Sequence, residues 1–476
     1  MTKPLYRFRP IESVLSYEDL GYPEKPNEQI GFDELRKNQL YLSPLENLND
    51  PMEGYKNPFW KGDKIIWNNF FKHYAMCLAV CMCQATLHGP SYRVTRQDIP
   101  IYQSHRSSND AILKSVITSL TSCQHVHEYV EAFSEAKRKI YKNELRFYLS
   151  TINMYIADLV RIAFVGLDAN LTPVDLDLSK KALLNKNAIT KFLSLKESSA
   201  IEEKNVQISA KENELKLVTM IKAEAWEKVG ANITYDFPSL YLDAIEDLLY
   251  PRALIACLSE RYDNPSMWSH YSRNHTGICL EFTTDGEFFP VNTIVGIGGT
   301  ATSTTYTSGP SNFTLHKVTY DEEYPEIDFF NSLGQLPIPT LNSAWLYDDE
   351  GNRSDCLNQL SNDEDAWRQK YWDHYPTIVT KKLSDWEYEK EFRAISTSGF
   401  NQDTVSKGTS YHFDNLDGLI FGMQTKDDHK AKIIEIIKEK CVTANRPTFN
   451  FYQAYYNPKN NRVEKMRLEK ISQIEV

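Results

Sequence analysis

The chain opens on a run that interleaves apolar and cationic side chains, Leu5-Tyr6-Arg7-Phe8-Arg9, and residues 5–8 predict a short aromatic strand. Residues 27–37 predict a short helical turn, and residues 40–44 a second strand closed by Pro44. Asn47-Leu48-Asn49-Asp50-Pro51 follows as a turn, because Asn and Asp bond their own backbone and Pro fixes φ. Between residues 107 and 166 apolar positions recur at steps of three and four, as in Ile112, Val116, Ile117 and Leu120, which predicts helices. A Lys- and Glu-rich stretch at 188–228 predicts a further helical segment with a solvated face. Strand character returns at 253–258, 277–282 and 418–422, followed by an amphipathic helix at 431–440. The Gly-, Thr- and Ser-rich residues 296–311 predict a mobile surface loop, and the acidic, polar residues 338–366 predict another. The simplest parse is an α+β protein. A split mixed or antiparallel sheet core comes from residues 1–60 and 251–476, interrupted by a mainly helical insertion at 61–250.

Composition then removes several classes of function. With 41% hydrophobic and 25% charged residues, the chain is neither a disordered acidic tail nor a rod. A formal net charge of −11 argues against broad, phosphate-driven binding to nucleic acid. The first ten residues carry charges where a secretory leader needs an apolar run. The longest apolar stretch, residues 74–85, is shorter than the roughly 20 residues of a membrane span. A cytoplasmic location with no membrane partner is therefore expected, with the eight cysteines as reduced thiols. Cys77, Cys81 and Cys83, with Cys123, His125 and His127 in the next segment, lack the Cys-x-x-Cys spacing of zinc knuckles, so no metal is expected. The 28 tyrosines outnumber the 22 phenylalanines, and their flat rings with polar tips suit sheet faces and ring-stacking pockets.

Three segments concentrate special residues. Leu5-Tyr6-Arg7-Phe8-Arg9 goes with Leu42-Ser43-Pro44 and Asn49-Asp50-Pro51-Met52-Glu53. Met267-Trp268-Ser269-His270-Tyr271 is followed by His275-Thr276-Gly277-Ile278-Cys279. Trp386-Glu387-Tyr388-Glu389-Lys390-Glu391-Phe392-Arg393 comes late. Together they resemble an uncharacterised bacterial domain-of-unknown-function family, matching its central and late motifs almost residue by residue. The turn departs from the family pattern, with Leu48 where an aromatic is usual. The resemblance covers the two ends of the chain and says nothing about residues 60–250, and it brings a family without a settled activity.

The layout is also similar to that of ADP-ribosyltransferases, which begin with a strand bearing Arg or His, pass through a Ser-bearing central strand and place a catalytic Glu on a late strand. That similarity implies an NAD-using transferase or NAD glycohydrolase, with a toxin or phage-defence effector as the corresponding setting. NAD is then the substrate, a protein or nucleic acid the candidate acceptor, and the helical insertion a candidate docking element. Such chemistry calls for a cation at the pyrophosphate, aromatic faces around the nicotinamide and a carboxylate near the ribosyl carbon. Glu389 and Glu391 are the candidate catalytic residues. Tyr6, Arg7, Arg9, Tyr41, Ser43, Asn49, Asp50, His270, Tyr271 and Arg393 are the candidate substrate-binding residues.

The same residues support plainer readings. Period two through 386–393 puts Trp386, Tyr388, Lys390 and Phe392 on one strand face and Glu387, Glu389, Glu391 and Arg393 on the other. Such a strand needs no catalysis, although glutamates that share a face repel one another, which a cation-stabilising site can use. His270 and His275 are five apart, off the i, i+4 spacing of two ligands on one helix face, so hydrogen bonding or packing suits them. Asn49 and Asp50 suit turn chemistry. Two other functions stay open: a metal-dependent nuclease or phosphodiesterase built from His270, His275, Asp50 and the late glutamates, and a non-enzymatic ligand- or partner-binding module.

Overall fold

A computed structural model describes the chain apart from residues 1–2, 23–32, 51, 90, 107–110, 137, 166–175, 181–182, 195–209, 211–213, 215–216, 218–231, 301–302, 322, 358–362, 398–404, 406–407 and 474–476. It divides into two compact units. The first comprises Met1–Tyr55, Arg252–Tyr324 and Pro376–Val476, and the second Lys56–Pro251 and Pro325–Tyr375. Residues 56–60 and 325–375, grouped with the sheet core on sequence pattern, thus fall in the second unit.

The first unit is built on a mixed sheet whose described strands are β1 (Lys3–Arg9), β2 (Ser43–Pro44), β3 (Leu254–Ser259), β4 (Ile278–Thr284), β5 (Phe288–Thr300), β6 (Ser303–Lys317), β7 (Glu391–Ser396), β8 (Ser410–Tyr411), β9 (Leu416–Phe421), β10 (Asn450–Asn457) and β11 (Arg462–Arg467). Their spatial order is β8-β5-β6-β7-β3-β1-β4-β9-β10-β11, with β2 beside β3. Neighbours run antiparallel apart from β9 and β10, which are parallel and connected through the helix Asp427–Thr443. That helix buries Ile433, Ile436, Ile437 and Cys441, the spacing of one helical face.

Both faces of the sheet are covered, and β1 shows why its sequence is so unusual. Leu5 joins a core with Leu42, Leu254, Phe282 and Phe421, whereas Tyr6 and Phe8 join a second core with Met267, Trp268 and Ile420. Period two therefore sends Arg7 and Arg9 to the Leu5 side of an interior strand. Burial of a side chain such as Leu5 or Phe8 stabilises by about 1.5–3 kcal/mol. A buried arginine on the same strand costs free energy unless it is partnered.

Residues 296–311 are not a loop. Apart from residues 301–302, which lie outside the described residues, they form the outer half of the β5–β6 hairpin, paired from Phe288↔Thr314 out to Thr300↔Ser303. The inner half is anchored by buried Phe289, Val291, Ile294, Phe313 and Leu315. Threonines, β-branched and at home on a pleated surface, keep the Gly-rich outer half extended.

The second unit is mainly helical, with long helices at Lys64–His88 and Lys142–Val165 and shorter ones at Ala111–Thr121, Gln124–Glu135, Lys186–Ser194 and Phe237–Ile245. The Lys- and Glu-rich stretch beyond residue 194 lies almost entirely outside the described residues. Trp60, Trp67, Phe70, Phe133, Tyr241 and Trp345 fill its core. Residues 338–357, expected as a surface loop, instead insert Leu341, Ala344, Trp345 and Leu346 into that core. Cys77 and Cys81 are buried along the first long helix, and burial pushes the Cys81 thiol up to about 12, so both behave as small hydrophobes. Among the described residues no helix is long and apolar enough to cross a membrane.

Candidate functional site

Within the first unit a cleft opens where the sheet is split. Strand β1 meets β3 at a single register position, Tyr6↔Ser259. Beyond that point β3 pairs with the short strand β2, through Ser43↔Ile255 and Pro44↔Leu254, so β1 is left to diverge from β3 along Arg7 to Arg9. The gap is a cavity of about 320 Å³ lined by Tyr6, Arg7, Phe8 and Arg9 from β1, Ile255, Cys257 and Ser259 from β3, and Tyr41, Ser43 and Asn49 from the β2 segment and its turn. Helix Pro265–Tyr271 closes one side. Its N-cap Asn264 accepts from the Ser266 amide at 2.8 Å, and Pro265 occupies the first turn, both favourable starts. Met267 and Tyr271, four residues apart, then share the face that lines the cleft.

One end of the cleft is a buried cluster of five charged groups. Lys382 Nζ lies 2.9 Å from Glu53 Oε1, 2.7 Å from Glu389 Oε2 and 3.4 Å from Glu391 Oε2. Arg393 holds Glu53 at 2.5 Å and Glu391 at 2.9 Å, and donates to the Val379 carbonyl at 2.6 Å. Every one of these side chains is at most 5% exposed. Burial works to raise the Glu391 carboxyl, but Arg393 and Lys382 overcome it and hold the group at about 2. Glu53 is pushed upward, because burial outweighs the same two cations. Lys382 is raised, burial being outweighed by Glu391, Glu53 and Glu389. Tyr271 donates to Glu389 Oε1 at 2.5 Å, and burial together with that carboxylate raises its hydroxyl, so it stays protonated.

The local chain explains how Glu389 and Glu391 reach one cation. Residues 384–389 form a 3₁₀ helix rather than a strand, and Lys390 ends it in the left-handed region at φ 44°. Strand β7 begins only at Glu391. The period-two alternation expected through 386–393 is therefore absent: the left-handed residue turns the chain so that both glutamates face Lys382 while Glu387 stays outside, paired with Lys390 at 2.7 Å. The glutamates do not repel one another unopposed as the sequence pattern suggests, since Lys382 and Arg393 compensate the buried carboxylates.

The other end is cationic. Arg7 is 7% exposed, and its Nη2 donates to the Tyr41 carbonyl at 2.5 Å while its Nη1 has no hydrogen-bond partner among the described residues. Burial and the neighbouring Arg9 push the Arg7 guanidinium down to about 10, still protonated near neutral pH. Arg9 is paired with Glu34 through two bonds, its Nε donating at 2.8 Å, and lies 5.9 Å from the Tyr41 ring centre.

Of the residues proposed from sequence, Glu389, Glu391, Tyr6, Arg7, Arg9, Tyr41, Ser43, Asn49 and Tyr271 line this cleft. Asp50, His270 and Arg393 do not. Asp50 caps its own turn, accepting from the Met52 amide at 2.9 Å and the Leu383 amide at 3.3 Å. His270 is exposed, its ring 6.3 Å from that of Trp386. Arg393 is wholly buried behind the cleft and acts on Glu53 and Glu391. His275 sits at φ 66° with its ring stacked on Trp268, and it is not among the residues that line the cleft. Sequence reasoning missed Lys382 and gave no role to Glu53. Glu53 ends the quoted turn segment, so a signal existed. Lys382 had none, because only the parallel pairing of Lys381–Lys382 with Thr319–Tyr320 turns it inward.

Part of this site falls in one stretch of chain that matches a family model. Residues 267–394 match the family model described as protein of unknown function (DUF2971). The matched stretch carries Met267, Tyr271, Lys382, Glu389, Glu391 and Arg393, whereas Arg7, Tyr41, Ser43 and Glu53 lie before it. The resemblance drawn from the central and late motifs is thus to this uncharacterised family. No curated protein and no solved structure matches the chain.

Proposed function

We propose that the cleft is an enzyme site that cleaves the glycosidic bond of NAD, as an ADP-ribosyltransferase or NAD glycohydrolase. The observation that carries this reading is the presence in one cavity of a buried, incompletely partnered guanidinium, Arg7, and a carboxylate, Glu389, held between Lys382 and Tyr271. In this reading Arg7 takes a phosphate oxygen, since a charge-assisted bond to a buried guanidinium is among the stronger contacts available. The rings of Tyr41 and Tyr271 supply flat faces for the base. Glu389 stabilises the positive charge that develops at the ribosyl carbon, and Lys382 and Tyr271 fix its orientation so that no reorganisation accompanies the reaction. Arg393 and Glu391 act through the cluster as positioning residues. The split sheet, with Arg on its first strand and Glu at the edge of a late one, supports the same analogy.

The test is nicotinamide release from NAD by the full chain. Glu389→Gln keeps the size and one hydrogen-bonding oxygen, and is expected to lower kcat by at least about 100-fold while the melting temperature stays within a few degrees. Undiminished release by the Glu389→Gln protein would overturn the assignment. A second reading has its own observation: both Glu389 oxygens already have partners, Lys382 and Tyr271, which is also how a carboxylate that merely braces a binding pocket looks. NAD binding without nicotinamide release would favour that ligand-binding module.

A further inference from the structure

The two ends of the cleft have opposite charge. At one end Arg7 and Arg9 face one carboxylate among the described residues, Glu34, so cations outnumber it two to one. At the other, three carboxylates, Glu53, Glu389 and Glu391, surround two cations, Lys382 and Arg393. Arg7 and the glutamate cluster are buried while Arg9 is partly exposed, so water screens Arg7 and the cluster less than it would at a surface. Tyr6 stands opposite Ser259, and Ser259 opposite Glu391, so at this register β1 and β7 are two strand spacings apart, about 10 Å, and Arg7, Glu389 and Glu391 all line the one cavity. The cavity between them, about 320 Å³, is at the low end of the roughly 300–1,000 Å³ of small-molecule sites. It has room for one nucleotide unit rather than two.

We propose that the cleft selects a ligand with an anion at one end and a cation at the other, specifically a nicotinamide mononucleotide unit with its pyridinium ring oxidised. The identity of the ligand rests on the NAD-cleaving reading, whereas the charge selectivity follows from the site alone. The phosphate meets Arg7, whose Nη1 has no partner among the described residues and whose Nη2 is already tied to the Tyr41 carbonyl. The pyridinium meets the Glu389 end, where carboxylates outnumber cations by three to two. The adenylate half of a dinucleotide then lies outside the cavity and adds little to recognition.

Titration calorimetry on the full chain tests this with three probes: oxidised nicotinamide mononucleotide, its reduced form, which lacks the ring charge, and nicotinamide riboside, which lacks the phosphate. The oxidised mononucleotide is expected to bind, and each of the other two to bind at least about tenfold more weakly, the loss of one charged partner. In Arg7→Gln the mononucleotide should fall to the affinity of the riboside while the riboside is unchanged, and Arg7→Lys should recover part of the difference. Equal affinity for oxidised and reduced mononucleotide, or no binding of the oxidised form, overturns the inference. Should Arg7→Gln fail to fold, the three probes on the native chain decide it alone. Nicotinamide release from NAD without this selectivity would leave the catalytic reading standing and remove this one; selectivity without release would do the reverse.

Discussion

Lys382→Met removes the cation at the centre of the site and keeps the length of its stem. Three carboxylates at 2.7 to 3.4 Å then lose a shared partner in a place that is only 2% exposed, leaving Arg393 to compensate Glu53 and Glu391 and nothing but Tyr271 for Glu389. Breaking a buried ion pair from one side costs about 3–5 kcal/mol, because the remaining charges stay desolvated. Urea unfolding of the first unit, followed through Trp268 and Trp386, should therefore shift to a lower midpoint by about 1–5 M at pH 7, taking a slope of about 1–3 kcal/mol per M. The pH dependence carries the reasoning. In the variant the stranded carboxylates have folded-state pKa values above their unfolded ones, so the penalty is complete at pH 7 and shrinks as pH falls through the raised values. In the native protein Glu391 is held at about 2, so its stabilisation is present above the ordinary carboxylate range and is lost as pH falls toward 2. The gap between native and variant must close on acidification. A loss below about 1 kcal/mol at pH 7, or one of the same size at pH 5, would refute the picture of a charge cluster organised by Lys382. Adding Glu389→Gln to Lys382→Met should recover part of the loss, since it deletes the carboxylate left with the fewest partners.

Other consequences are separately measurable. A Cβ at Gly277 would lie 2.3 Å from the Arg9 carbonyl oxygen, so Gly277→Ala should cost about 1–3 kcal/mol in thermal unfolding and reduce nicotinamide release by displacing the β1 end of the cleft. Lys390 is left-handed at φ 44° between the two glutamates, so Lys390→Gly should leave stability unchanged or up to about 1 kcal/mol higher, whereas Lys390→Val should lose about 1–2 kcal/mol. In the second unit, burial pushes His73 down to about 4, its Nδ1 2.8 Å from the Tyr241 hydroxyl and its Nε2 3.1 Å from the Ile101 carbonyl oxygen. Its unfolded form binds a proton at the ordinary value of about 6.5, so stability is full above that and falls by roughly 3 kcal/mol as pH drops toward 4. Melting temperatures between pH 7.5 and 4.5 should show that slope, and His73→Gln should flatten it.

The elements with strong periodicity were legible in the sequence because their physics is local. The β1, β3, β4 and β9 strands and the helix beginning at Asp427 follow from period two or 3.6, and the Asn49-Asp50 turn from side chains that bond their own backbone. The residue types of the site were legible too, since an Arg on a strand core and clustered glutamates are costly unless something compensates them. What compensates them was not. Lys382 faces inward through a two-residue pairing with Thr319–Tyr320, a contact some sixty residues away in the chain. The Gly/Thr-rich hairpin and the Trp345 segment looked like loops because polar composition outweighed a strand pairing and a core contact that no local window contains. The same holds for 386–393, where an alternating pattern gave way to a 3₁₀ turn and one left-handed residue. Sequence alone determined which residues had to be paired or buried, because desolvation is a property of each side chain. Only the tertiary structure decided with whom, because a charge finds its partner through space, and the split between β1 and β3 that opens the cleft is set by β2 arriving from elsewhere in the chain.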